Sequence, residues 1–278
     1  MQDLSSYDIL SQFLSIDVSD GAAVFNLFAT LPGAVVKVGK KPLERYVYVP
    51  GTRKDAVVLV AHADTVWDQA YGRDARSGMI WEDGIFRSTG ENCGIGADDR
   101  AGCAMLWALR NSGHSLLVVD GEEKGKIGAK FLRRHNKKLF RALNRHCFMM
   151  ELDWQGTGGC LYNQVENTPQ FKNHIAKQAG FRDDAQKGGC DLQVLCQRVC
   201  GVNIGVGYRN HHRNNELLNV AEWENTLRLL TDFLSREQVQ FPIPLSGRCR
   251  SAWRKCRALA GKVLRKLGIK KQTAKRTC

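Results

Sequence analysis

Four continuous apolar runs punctuate the chain: AVVLVAH (56–62), SLLVVD (115–120), CFMMELD (147–153) and VNIGVGY (202–208). Apolar residues without alternation predict strands buried on both faces of a sheet. Two earlier segments, AVVKVG (34–39) and RYVYVP (45–50), read as a hairpin or edge pair. Helical periodicity fills the intervals. DRAGCAMLWALRNSG (99–113) stops at a glycine, and NVAEWENTLRLLTDFLSR (219–236) opens with Asn219 three residues before Glu222, a capping-box arrangement. Buried strands alternating with helices predict an α/β domain. The body of the chain has no internal repeat and no low-complexity segment.

Composition adds little to that picture except at the C-terminus. With 278 residues, 43% hydrophobic and 25% charged, the chain suits one large globular domain or a domain with an appendage. The opening MQDLSSYDIL carries acid and no basic leader, and no apolar run reaches the roughly 18 residues of a membrane span, so the expected location is cytoplasmic. Ten cysteines are scattered without a CxxC pair, which favours reduced thiols; Cys190, Cys196 and Cys200 have the spacing of one face of a short helix.

The net charge is +13, yet 12 of the 41 lysines and arginines fall between Ser246 and Cys278, where there is no acid. The rest is nearly neutral. FPIPLSG (241–247) reads as a linker between a body, 1–240, and a basic tail, 248–278. Trp253, Cys256, Ala260, Val263, Leu264 and Leu267 give the tail an amphipathic helical pattern. It would suit nucleic acid, an anionic membrane or an acidic protein, or it would dock its apolar face on the body.

Candidate chemistry clusters where the predicted strands end. His62 and Asp64 follow the first, Glu122 and Glu123 the second, in LVVDGEEKGKIGA (117–129), with no evident cation beside them. Asp153 ends the third, and His211 and His212 follow the fourth. Asp98 and Asp99 lie in the glycine-flanked GADDRAG. Loops beyond the carboxyl ends of strands in an open α/β sheet converge on one crevice, so these side chains gather. Gathered carboxylates are costly unless a cation joins them. Imidazole with carboxylate suits zinc or a similar first-row divalent ion better than magnesium, and the number of ligands suggests two ions.

The ordered set HAD, GADDRAG, DGEEKGKIGA, ELD and GYRNHHRNNE resembles the co-catalytic zinc exopeptidase superfamily, which includes peptidase T, the bacterial leucyl aminopeptidases and the carboxypeptidase G type enzymes. The match runs from about Val57 to about Leu234. The resemblance implies a three-layer sandwich with a central, mostly parallel mixed sheet flanked by helices. It also implies two zinc ions, with cobalt or manganese as substitutes. His62 and Asp153 would hold one ion, Glu123 and a final histidine the other, and Asp98 would bridge them, joined to Asp99 by a peptide bond that is cis in this family. Asp64 would hydrogen-bond the His62 imidazole, and Glu122 would be the general base. His212 is preferred to His211 because HRNNE matches the histidine, three-residue, glutamate pattern of peptidase T-like enzymes.

Residues 154–211 are too few for the lid or dimerisation domain that larger relatives insert there. A single catalytic domain is therefore expected, closer to the aminopeptidases. Carboxypeptidase, dipeptidase and amidase activities remain open on the same metal core, as does the oligomeric state. Arg100 stands where many relatives have lysine. Asp191 reads as the cap of the helix after it, and Tyr208 as core or substrate-facing. Two readings from other classes are a two-metal nuclease or phosphatase, and a non-catalytic or polyanion-binding protein on the same scaffold. Taken singly, each polar residue also has a plain role as cap, turn or hydrogen-bonded structural group.

Overall fold

A computed structural model describes residues 5–72, 75, 78–162, 165–186, 188–247 and 249. The chain opens with helices α1 (Ser6–Leu14) and α2 (Gly21–Ala29), then strands β1 (Val35–Val38), β2 (Arg45–Val49) and β3 (Val58–His62). A hairpin of β4 (Met79–Glu82) and β5 (Ile85–Ser88) leads to α3 (Ala97–Ala108) and β6 (Ser115–Val119). Next come α4 (Ile127–His135), α5 (Lys137–Leu143), β7 (Met149–Trp154), β8 (Gly159–Leu161), α6 (Pro169–His174) and β9 (Arg182–Asp183). The last elements are α7 (Leu192–Leu195), β10 (Gly201–Gly205), β11 (Tyr208–Arg209), β12 (Leu217–Asn219) and α8 (Val220–Ser235).

Eight strands form the main sheet in the order β1-β2-β6-β3-β7-β10-β8-β9. Its centre, β6-β3-β7-β10, is parallel throughout. The β1-β2 hairpin is antiparallel and lies at one edge, as the sequence predicts. Side chains of a strand point alternately to opposite faces, and this alternation divides the core in two. Leu59, Ala61, Leu116, Val118, Met150 and Leu152 pack on the side covered by α1, α2, α3 and α8. Val58, Val60, Leu117, Val119 and Met149 pack on the other, against Phe131 and Leu132 of α4, Leu143 of α5 and Leu192 of α7. The result is the three-layer sandwich expected, with no inserted domain among the described residues between Asp153 and His212.

A second, smaller sheet was not expected. It runs β11-β12-β5-β4 and joins the hairpin before α3 to the stretch after β10. Its β4-β5 hairpin turns through Asp83 and Gly84, both at positive φ, the two-residue turn that an Asp-Gly pair favours. Asn219 caps α8 as predicted, accepting from the Glu222 amide at 3.1 Å. The return half of the box is replaced: the Glu222 carboxylate instead pairs with Arg209.

Three local expectations are corrected. Helix α7 spans four residues, so Cys190, Cys196 and Cys200 do not share a helix face; each is buried, and none of the three is in a disulfide. Asp191 precedes α7 without capping it through its side chain. Part of the 241–247 segment is packed: Phe241 lies against Phe171 and His174, Pro242 bridges to Val199, and Ile243 is buried. The basic tail lies outside the described residues except for Cys249. No helix among the described residues is long and apolar enough to cross a membrane.

Helix α3 approaches β7 so closely at Gly102 that an added Cβ would meet the Leu152 carbonyl oxygen and the Asp99 carboxylate. Glycine there lets the Asp98-Asp99 pair reach the ends of the strands. Gly102→Ala should therefore lower unfolding free energy by roughly 1–3 kcal/mol, the usual cost of overpacking a dense core, read as a shift in urea midpoint.

Candidate metal centre

The carboxyl ends of β3, β6, β7 and β10 lie side by side in the sheet, and each delivers a chemical group there. His62 is the last residue of β3, Asp153 the penultimate residue of β7, and Glu122 and Glu123 follow β6 in a tight turn. His211 and His212 follow β10 and β11. Asp98 and Asp99 stand at the start of α3, joined by a cis peptide bond.

Asp98 is the centre of the constellation. Its Oδ1 lies 3.2 Å from His62 Nε2, and that nitrogen is 3.5 Å from Asp153 Oδ1. Its Oδ2 lies 3.2 Å from His212 Nε2, which is 2.8 Å from Glu123 Oε1. One carboxylate thus faces two separate imidazole-carboxylate pairs. His62, Asp98 and Asp153 are close enough to share one ion, and so are Asp98, His211 and His212. Of the two histidines, His212 is the one in contact with Glu123; the His211 ring sits edge-on to it at 4.7 Å, with a buried Nδ1 that has no hydrogen-bond partner.

The electrostatics are those of an acid cluster. Burial alone would lower the His62 pKa, but Asp153, Asp64 and Asp98 outweigh it and hold it well above the usual imidazole range. For His212 burial likewise opposes, and Asp98 and Glu123 carry the pKa up to about 10. Burial first, and the nearby Asp98 charge second, push Glu123 up to about 7. The neighbouring carboxylates draw protons to these groups, and a bound cation would take the protons' place.

Neighbouring groups hold the set in position. The Asp64 carboxylate accepts from the amides of Glu122 and Glu123 at 3.1 and 3.2 Å and from the Tyr71 hydroxyl at 2.5 Å. The closest partner of His62 Nδ1 is the Asp64 backbone carbonyl at 2.9 Å, with the carboxylate at 3.4 Å. Asp64 therefore orients the imidazole chiefly through its main chain and the glutamate turn through its side chain. Asp99 accepts from the His62 and Gly102 amides. Asn203 on β10 brackets the Asp153 backbone, accepting from its amide and donating to its carbonyl. Glu216 is buried beneath the α3 start and accepts from the Gly96 and Asp98 amides at 2.7 and 3.1 Å. Arg100 is fully buried and donates to the Ala63 and Asp17 carbonyls, tying the loop after β3 to the turn between α1 and α2.

All seven residues singled out from the sequence, His62, Asp64, Asp98, Glu122, Glu123, Asp153 and His212, fall at this one place. A cleft of 410 Å³ opens over it, lined also by Trp154, Gln155, Gln186, Gly188, Gly189 and Tyr208. The Tyr208 hydroxyl donates to Asp153 Oδ1 at 3.3 Å. Lys126 was missed. Its Nζ lies 2.8 Å from Glu122 Oε1, so the adjacent glutamates do have a local cation. The four-residue spacing was the available signal, but it counts only where the backbone brings the two side chains to one side. Asn203, Tyr71 and the supporting role of Glu216 had no signal in residue order.

No protein-family model matches the sequence, and no curated protein matches it. Solved structures do. The aminopeptidase PepT from Bacillus cereus superposes with a TM-score of 0.58 at 15% identity, over 84% of this chain and 98% of that one. A tripeptidase from Staphylococcus aureus gives 0.57 at 14% identity with the same coverage. The Pyrococcus horikoshii TET1 peptidase, which can assemble into a tetrahedron or a large octahedral shell, gives 0.53 at 14% identity over 84% of this chain and all of that one. At such identities the likeness is one of fold, shared with an aminopeptidase and a tripeptidase.

Proposed function

We propose that this chain is a metal-dependent exopeptidase of the aminopeptidase type, acting through two zinc ions held by His62, Asp98, Asp153, Glu123 and His212. The observation that carries the reading is the division of Asp98, whose two oxygens each face a different imidazole-carboxylate pair. A bridging carboxylate is what a pair of ions a few ångströms apart requires. The donor set fits zinc: it is imidazole and carboxylate with no thiolate. The fold shared with an aminopeptidase and a tripeptidase points to the same chemistry.

Bound there, the ions would supply Lewis acidity toward the scissile carbonyl and acidify water. Glu122 lines the cleft and has no role among the proposed ligands, so it takes a proton from the attacking water and returns it to the leaving amine. Asp64 gives that step its geometry by gripping the amides of both glutamates. With no inserted domain among the described residues between Asp153 and His212, the cleft is open to the end of a peptide, which favours the aminopeptidase class within this reading.

Protein purified without chelator should carry about two zinc ions per chain by elemental mass spectrometry and release terminal residues from a mixed peptide library. Asp98→Asn should lose metal from both positions at once. Glu122→Gln should keep the metal yet lose turnover by roughly 10²–10⁴-fold, and equal turnover in this variant would sink its role as base. Asp64→Ala, which frees the glutamate turn and the imidazole together, should lower metal affinity or activity by about 10–100-fold.

A further inference from the structure

Lys126 is the one lysine or arginine among the described residues that line the cleft. Every other charged group of that lining is a carboxylate or an imidazole. The cation is set into the wall. Its side chain is 16% exposed, its backbone φ is +66°, and its amide donates to the Glu122 carbonyl at 2.9 Å. On the other side a Cβ added at Gly189 would come within 2.9 Å of the ammonium nitrogen, so glycine leaves just enough room for it. The lysine thus sits in a slot between the glutamate turn and the 188–189 loop.

An ammonium carries three N–H donors. Its Nζ lies 2.8 Å from Glu122 Oε1, and the charges of Asp191 and Glu151 also act on it, so the ammonium has donors beyond the one that faces Glu122. A buried ion pair alone is a weak source of stability, because desolvation offsets most of the attraction. Among the described residues that line the cleft, Asp98, Glu122, Glu123 and Asp153 supply the acid and Lys126 is the cationic side chain suited to meet an anionic part of a substrate.

We infer that Lys126 is the substrate-carboxylate site of the cleft. It receives a carboxylate carried by the peptide near the scissile bond, either the terminal carboxylate of a short peptide or an acidic side chain. The incoming carboxylate becomes a second acceptor on the ammonium that also holds Glu122, so substrate anion and general base share one cation. This rests on the peptidase reading above and names its substrate class.

The test compares Ala-Ala, its carboxamide Ala-Ala-NH2 and the acidic amide Ala-Glu-NH2 on the zinc-loaded full chain, in wild type, Lys126→Met and Lys126→Arg. Wild type should favour a carboxylate-bearing substrate over Ala-Ala-NH2 by about 10-fold or more in kcat/KM, mostly through KM. Lys126→Met should flatten that ratio, and Lys126→Arg should restore part of it. Preference for Ala-Ala identifies the terminal carboxylate as the ligand; preference for Ala-Glu-NH2 identifies the side chain. Calorimetric titration with two uncleavable methyleneamino analogues of Ala-Ala, ending in carboxylate and carboxamide, reads the same preference without turnover.

A wild type with no carboxylate preference, or a Lys126→Met protein that keeps it, overturns the assignment. So does a variant in which kcat falls equally for all three substrates, since Lys126 would then be only the counter-charge of Glu122. If no peptide is cleaved but the analogues are still distinguished through Lys126, the peptidase reading fails and the carboxylate site stands. Should Lys126→Met not fold, the wild-type preference and the Lys126→Arg ratio decide the question.

Discussion

Four carboxylates and two or three imidazoles brought to one end of a buried sheet repel or sequester protons unless cations join them, and the rest of the molecule is arranged around that constraint. Asp98 expresses it most directly: one of its oxygens faces His62 and Asp153 while the other faces His212 and Glu123. In a low-dielectric setting such a division has a large electrostatic cost without neutralisation. It is the arrangement that a pair of bound ions would relieve.

Holding these groups at fixed positions depends on a shell of ordinary hydrogen bonds. The side chains of Asp64, Asp99, Asn203 and Glu216 all accept from backbone amides of the site. Backbone anchoring restricts where each functional side chain can begin, and dense packing restricts where it can go. Gly102 is part of the same economy, since its missing side chain lets α3 bring Asp98 against the strand ends. Lys126 adds a cation to a cleft otherwise built from acid, and it does so in contact with the one glutamate that the proposed ligand set leaves unused.

Much of this was legible in residue order. Continuous apolar runs mark β3, β6, β7 and β10 because a strand buried on both faces has no polar position to spare. Each run is followed by its chemical residue, so the convergence of His62, Glu122, Glu123, Asp153 and His212 follows from strand polarity and parallel pairing alone. The smaller sheet was not legible, although Asp83-Gly84 carries the signature of its hairpin, because its partner strands β11 and β12 are two and three residues long. The three cysteines near 190–200 were misjudged for a related reason: their spacing suggested a helix, and tertiary packing allows only four helical residues there.

By itself the sequence determined the class of sheet, the order of its strands along the chain, and the residue types available at their ends. These are local properties, set by hydrophobic period and by short-range chemistry. The tertiary structure decided which of those residues touch. It separated His212 from His211 by contact with Glu123, turned the Asp64 carboxylate toward the glutamate amides, and brought Gly189 to Lys126. Contacts of that kind depend on the directions of side chains across several elements at once, and no local pattern in the chain encodes them.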